Sequence, residues 1–190
     1  MNNYANRGVP FEEFLSYVNR RYSNHHIASI VKVPTKFIPI RDRYGKVCSC
    51  KVEDKSCVDY IGHYKAIPVA IEAKHTESNT IRFDAVQPHQ KEFMDQFTAM
   101  PGTTGMVAVS FQLRRFFVVP WPFWNAAREM WEKSPKEKEV ITYNGQTWTT
   151  PGKASVRMEE LLPEWEIKPG GPFGLDYLKH TETYKNMQKQ

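Results

Sequence analysis

The pattern that most constrains this chain is Asp59, followed after twelve residues by Glu72-Ala73-Lys74. Glu72 and Lys74 lie inside the apolar run Val69-Ala70-Ile71-Glu72-Ala73-Lys74. Side chains alternate faces along a strand, so Glu72 and Lys74 share one face while Val69, Ile71 and Ala73 share the other. The apolar row faces a core, and the acid and the amine point together into whatever lies opposite. A hairpin turning at Gly62 brings Asp59, at the end of the preceding apolar run, alongside them. Two carboxylates and an amine converging on one point can hold a divalent cation and activate a water. Such a spacing also arises by chance, so its weight comes from the elements around it.

A helix is predicted from Pro10, with Phe11, Phe14, Leu15, Val18 and Tyr22 at helical spacing. Glu12 and Glu13 fall in its first turn, where carboxylates suit the helix dipole. Arg7 and Gly8 just ahead are suited to a phosphate. His25-His26 ends the helix, and residues 28–33 read as a strand. Residues 34–56 form a two-stranded excursion: Pro34 and Pro39 interrupt pairing, and Tyr44-Gly45 marks its turn. Strands near 57–61 and 66–74 carry the acids and the lysine. A helix over 86–100 puts Phe93, Met94, Phe97 and Met100 on one stripe, with Gln90 on the same side. A buried glutamine needs a polar partner, which the acidic pair, a substrate phosphate or local backbone can supply. Strands over 106–111 and 116–119 precede an amphipathic helix over 121–133. The aromatic residues of that helix suit a core or a dimer interface better than base stacking. Residues 134–139 form a charged linker, Asn144-Gly145 marks a small hairpin, and residues 152–174 show no clear period.

A chain of 190 residues with 41% hydrophobic and 25% charged side chains suits one soluble domain with a real core. No apolar run reaches membrane-spanning length and no signal peptide is recognised at the start. The odd count of three cysteines argues against a disulfide framework and for a reducing cytoplasm. The net charge is +5, and residues 32–55 hold seven lysines and arginines against three acids. A basic segment beside an acidic cation site points to a polyanion, phosphates first. The plainer alternative is a solvated lysine-rich hairpin. A Walker loop, a dinucleotide fingerprint and a nucleophile elbow are all missing. Cys48, Cys50, Cys57 and His63 offer zinc-type ligands, without Cys-x-x-Cys spacing.

The order of acid-bearing helix, Asp59, Glu72-x-Lys74 and Gln90-bearing helix is that of a PD-(D/E)xK nuclease core. The segments Asn6-Arg7-Gly8-Val9-Pro10-Phe11-Glu12, Lys32-Val33-Pro34-Thr35, Ser56-Cys57-Val58-Asp59-Tyr60-Ile61-Gly62-His63-Tyr64, Glu72-Ala73-Lys74-His75-Thr76 and His89-Gln90 extend the likeness. Gly152-Lys153-Ala154-Ser155-Val156 and Leu175-Asp176-Tyr177-Leu178 close it. In these the chain resembles RecU-type Holliday junction resolvases. The resemblance implies an α/β fold with a restriction-endonuclease-like core, a central mixed β-sheet flanked by helices, and a projecting basic β-hairpin stalk. It implies one nuclease domain over residues 1–190, with the stalk inserted at about 36–55 and a C-terminal extension at about 134–190.

The activity implied is that of a crossover junction endodeoxyribonuclease. It nicks four-way DNA junctions symmetrically in recombination and repair, with Mg²⁺ as cofactor and Mn²⁺ as a substitute. The partners implied are branched DNA, a second copy in a homodimer, and recombinase and branch-migration proteins, with no membrane. The compartment is the cytoplasm of a bacterium, or of a phage's host. Asp59 and Glu72 would bind the metal with the Ala73 carbonyl, and Glu12 would complete the acidic cluster directly or through water. Lys74 would orient or activate the attacking water or stabilise the phosphoryl group, with Gln90 in support. Arg7, Lys36, Arg41, Arg43, Lys46, Lys51 and Lys55 would contact DNA. The chain departs from the family pattern at Ala70, where many relatives carry Asp, at Cys48 and Cys50 in the stalk, and in the aromatic residues of 120–150. Two other readings stand beside this one: a nuclease of the same fold acting on other DNA structures, and a non-catalytic junction-binding or recombinase-modulating protein.

Overall fold

The computed structural model describes residues 9–54 and 56–184. Helix α1 (Val9–Asn24) buries Phe11, Leu15, Val18 and Tyr22, the apolar stripe its spacing predicts. It leads into β1 (Ala28–Lys32), then β2 (Lys36–Arg41) and β3 (Val47–Asp54). Strands β4 (Tyr60–Tyr64) and β5 (Ile67–Thr76) follow, then the short β6 (Thr80–Arg82) and α2 (Pro88–Thr98). Next come β7 (Thr104–Phe111), β8 (Arg115–Pro120) and α3 (Trp121–Lys133). The hairpin β9 (Val140–Tyr143) and β10 (Gln146–Thr149), the short β11 (Ser155–Arg157) and β12 (Glu166–Ile167), and α4 (Thr181–Tyr184) complete the order.

Six strands form one mixed sheet in the order β1-β4-β5-β7-β8-β12. Only β5 and β7 run parallel, and α2 makes the crossover between them. Every residue of β7 is buried, as expected of a central strand covered on both faces. Strands β2 and β3 pair with each other alone, and every residue of β2 is exposed. Among the described residues no helix is long and apolar enough to cross a membrane.

Gly62 is not a turn residue. It sits inside β4 opposite Val69, and the chain reverses after Tyr64, at Lys65-Ala66, where Lys65 takes φ of 52°. Glycine is needed at 62 for closeness: a Cβ there would lie 2.0 Å from the Ser29 carbonyl oxygen of β1. Gly62→Ala is therefore expected to cost about 3 kcal/mol, because two backbones must separate. Urea melts of the two proteins measure this, and equal stability would mean that β1 can move aside freely.

Of the aromatic residues of α3, Trp121, Phe123 and Trp124 are core and Trp131 is half-buried outside it. Trp121 and Trp124 are buried, and Phe123, Trp148 and Trp165 pack ring to ring with centroids 5.1 to 6.3 Å apart. The last described segment straps α1 to the sheet. Tyr22 Oη donates to Asp176 Oδ1 at 2.8 Å, and the Tyr177 hydroxyl bonds Asn19. Tyr184 Oη donates to the Val118 carbonyl of β8.

Candidate active site

Asp59 stands one residue before β4. The Tyr60–Ile71 register therefore sets it directly across from Glu72. Its backbone is pinned by Val33 N–H, which donates to the Asp59 carbonyl at 2.8 Å. Its carboxylate is pinned by Ala73 N–H, which donates to Oδ2 at 2.8 Å. Val69, Ile71 and Ala73 are buried, so the alternation of β5 turns Glu72 and Lys74 to the same side, as the pattern requires. Lys74 Nζ lies 2.5 Å from Glu72 Oε1. Of the partners foreseen for Gln90, the local backbone is the one it takes, and it adds Lys74, which was not foreseen. Its Oε1 accepts from Gln87 N–H at 2.9 Å, capping α2, and from Lys74 Nζ at 3.4 Å.

Glu72 is fully buried, and neither of its oxygens has an aligned donor. Lys74 approaches closely but outside hydrogen-bonding alignment. Asp59 can bond to Glu72 only if one of the two acids holds a proton. Burial, reinforced by the Asp59 charge and opposed by Lys74, pushes Glu72 up to about 8. Burial also raises Asp59, against the pull of Ala73 N–H and Lys74 and with a further push from Glu12. Two facing carboxylates, one of them buried without an aligned donor, fit a hard divalent cation, which needs few protein oxygens when it keeps several waters. Among the described residues, no group of three or more His, Cys, Asp or Glu side chains is placed to hold an ion.

Glu12 stands at the rim, paired with Lys32 at 2.7 Å. The Tyr60 hydroxyl donates to the Glu12 carbonyl at 2.7 Å and bonds Ser16 Oγ at 3.0 Å, which locks α1 against the start of β4. Of the residues expected to touch DNA, Lys36, Arg41, Arg43, Lys46 and Lys51 lie on the β2–β3 hairpin. Arg7 and Lys55 lie outside the described residues.

Sequence reasoning missed His75. Its Nδ1 is 3.2 Å from the buried Ser110 Oγ, and its Nε2 is 2.8 Å from Glu77 Oε1. Both nitrogens are engaged beside Lys74, so the ring fastens the end of β5 to β7. A histidine two places before an acid is the available signal, but the parallel pairing of His75 with Ser110 is visible only in the sheet register.

Comparison with known proteins identifies a family. The family model "Recombination protein U" matches residues 6–183. A Holliday junction resolvase RecU from Bacillus licheniformis is 30% identical over 145 residues, covering 72% of this chain and 73% of the relative. One from Bacillus cereus is 29% identical over 147 residues, covering 72% and 74%. One from Streptococcus pneumoniae is 32% identical over 106 residues, covering 53% and 54%. With an acidic pair, a lysine and a supporting glutamine in the expected order on a mixed sheet, and a family model matched from before α1 into α4, the chain belongs to the RecU family.

Proposed function

We propose that this protein is an endodeoxyribonuclease that resolves four-way DNA junctions in recombination, acting as one nuclease unit by metal-dependent hydrolysis. The observation that carries the reading is Asp59 facing the fully buried Glu72, with Lys74 alongside. Asp59 and Glu72 would hold the cation, with the Ala73 carbonyl as a further ligand and Glu12 completing the cluster directly or through water. A bound Mg²⁺ supplies a water of lowered pKa and offsets charge building on the phosphorus. Lys74 orients that water or donates to a non-bridging phosphate oxygen. Gln90 keeps the lysine in place through the 3.4 Å contact. Arg7 and the basic side chains of β2–β3, including Lys36, Arg41, Arg43, Lys46 and Lys51, with Lys55 beyond, engage backbone phosphates as a stalk in the open centre of the junction. Paired cuts need two equivalent sites, which a C2 homodimer presents to a pseudo-symmetric junction.

The test is cleavage of a synthetic immobile junction, with linear duplex and flap DNA in parallel, with and without Mg²⁺. Cutting confined to the junction and to Mg²⁺ supports the reading. Equal cutting of duplex or flap replaces it with a different nuclease on the same fold, and binding without cutting replaces it with a junction-binding protein. Lys74→Ala is expected to lower the cleavage rate about 10²- to 10³-fold. Gln90→Ala, which acts only through Lys74 and the helix cap, is expected to cost roughly tenfold. Single-turnover rates check both, and equal losses would place Gln90 in direct contact with substrate.

A further inference from the structure

We propose that a groove along the free edge of β1 is a second DNA-contact site, holding the sugar-phosphate backbone of one strand beside the Asp59–Glu72 pair. The proposal rests on the nuclease reading above and names a subsite for the same substrate. Strand β1 is outermost in the sheet. Val33 N–H donates inward to Asp59, and Lys65 N–H donates to the Ile27 carbonyl. Pairing alternates along an antiparallel strand, so the backbone groups of Ala28, Ile30 and Lys32 face outward. Between this edge and α1 run two depressions of about 320 and 300 Å³, which share Ser23 and Ser29. The first is lined by Ser16, Asn19, Arg20 and Lys32 and reaches Tyr60, the residue after Asp59. The second ends at His26, His63 and Lys65.

Apart from Ile27, Ala28, Ile30 and Val31, the lining is made of hydroxyl, amide, imidazole and cationic side chains. No Asp or Glu lines either depression, in a chain with 21 acids. Lys32 and Lys65, at the two ends, are tied to Glu12 and Glu182. Between them, the side chains of Arg20, Ser23, His26 and Ser29 make no hydrogen bond or ion pair among the described residues. Asn19 is only 4% exposed, accepts at Oδ1 from the Tyr177 hydroxyl and leaves Nδ2 without an acceptor. A row of unanswered donors and positive charge, with no acid, is complementary to phosphate oxygens. Five residues of strand run roughly 16 Å, enough for a few consecutive phosphates. One end opens at the Glu12–Lys32 pair, which bears on Asp59, and β1 leads directly into the hairpin β2–β3. A strand leaving the cut site can therefore follow β1. An open strand edge also accepts a peptide strand. The hydroxyls and cations of the lining, with no acid among them, favour the nucleic acid.

The experiment is fluorescence anisotropy of a labelled four-way junction in chelator, over a range of salt, for wild type, Arg20→Gln, Ser29→Asp and the double variant. Circular dichroism melts monitor folding. The double variant is expected to bind about tenfold more weakly and to flatten the slope of log Kd against log salt by roughly one to two phosphates' worth. Folded variants with unchanged affinity and slope would overturn the groove. If an oligo-glutamate peptide also binds wild type but not Ser29→Asp, the groove instead takes an acidic peptide strand. Wild type that fails to bind any junction would overturn the nuclease reading itself, a distinct outcome.

Discussion

Asp59→Asn and Glu72→Gln are each expected to reduce Mg²⁺-dependent cleavage of a four-way junction by ~10³-fold or more, while junction binding in chelator stays close to wild type. Each substitution removes one of the two facing carboxylates and leaves its shape. The amide that replaces the Asp59 carboxylate keeps an oxygen to accept from Ala73 N–H, so the β4–β5 register survives. Phosphate contacts from the hairpin and the β1 groove do not pass through either side chain. Gel-based cleavage and anisotropy on the same preparations check this. Wild-type rates in either variant would remove Asp59 and Glu72 from the chemistry.

The second large effect is on stability without metal. Glu72 holds its proton to about 8 in the fold, against an ordinary value of 4.5. The folded state therefore binds the extra proton across that interval. Stability is full below the unfolded value and is lost as pH rises through the folded one. In chelator, the protein is expected to be less stable at pH 8.5 than at pH 5 by a few kcal/mol from this group. Glu72→Gln should remove the slope and raise the melting temperature at pH 8.5 by about 5 °C or more. Mg²⁺ should do the same for wild type, because it adds a second positive charge at oxygens that Lys74 alone meets. Urea melts at the two pH values, with and without Mg²⁺, decide the matter. A flat profile in wild type would mean that water or Lys74 already compensates the carboxylate.

Much of this is legible in the residues. The alternation of Val69, Ile71 and Ala73 against Glu72 and Lys74 specifies which side chains meet, and α1 and α3 announce themselves by spacing and proline. What the residues hide shares one cause: distance along the chain conceals nearness in space. Gly62 looks like a turn because glycine usually marks one, yet it serves the approach of β1. That constraint comes from Ser29, more than thirty positions away. Asp59 reads as a strand end, but its place opposite Glu72 depends on a reversal at Lys65-Ala66 that carries no strong turn signal. The aromatic α3 is ambiguous in sequence because burial by Trp148 and Trp165 comes from short segments with no helical period to read. Met100 falls on the predicted stripe of α2 but is exposed, because the helix ends at Thr98.

The strap over α1 has a consequence for how the enzyme comes into being. Tyr22 meets Asp176 across 154 positions of sequence. A ribosome therefore releases the first helix long before it makes the residues that cover it. Until then Glu12 sits on a helix that Tyr60 of β4 locks from one side only, and the face that Asp176 and Tyr177 cover is bare to solvent. Competence to cut DNA thus arrives late in synthesis, so a nascent chain stalled midway is a poor nuclease however well β4 and β5 have been translated.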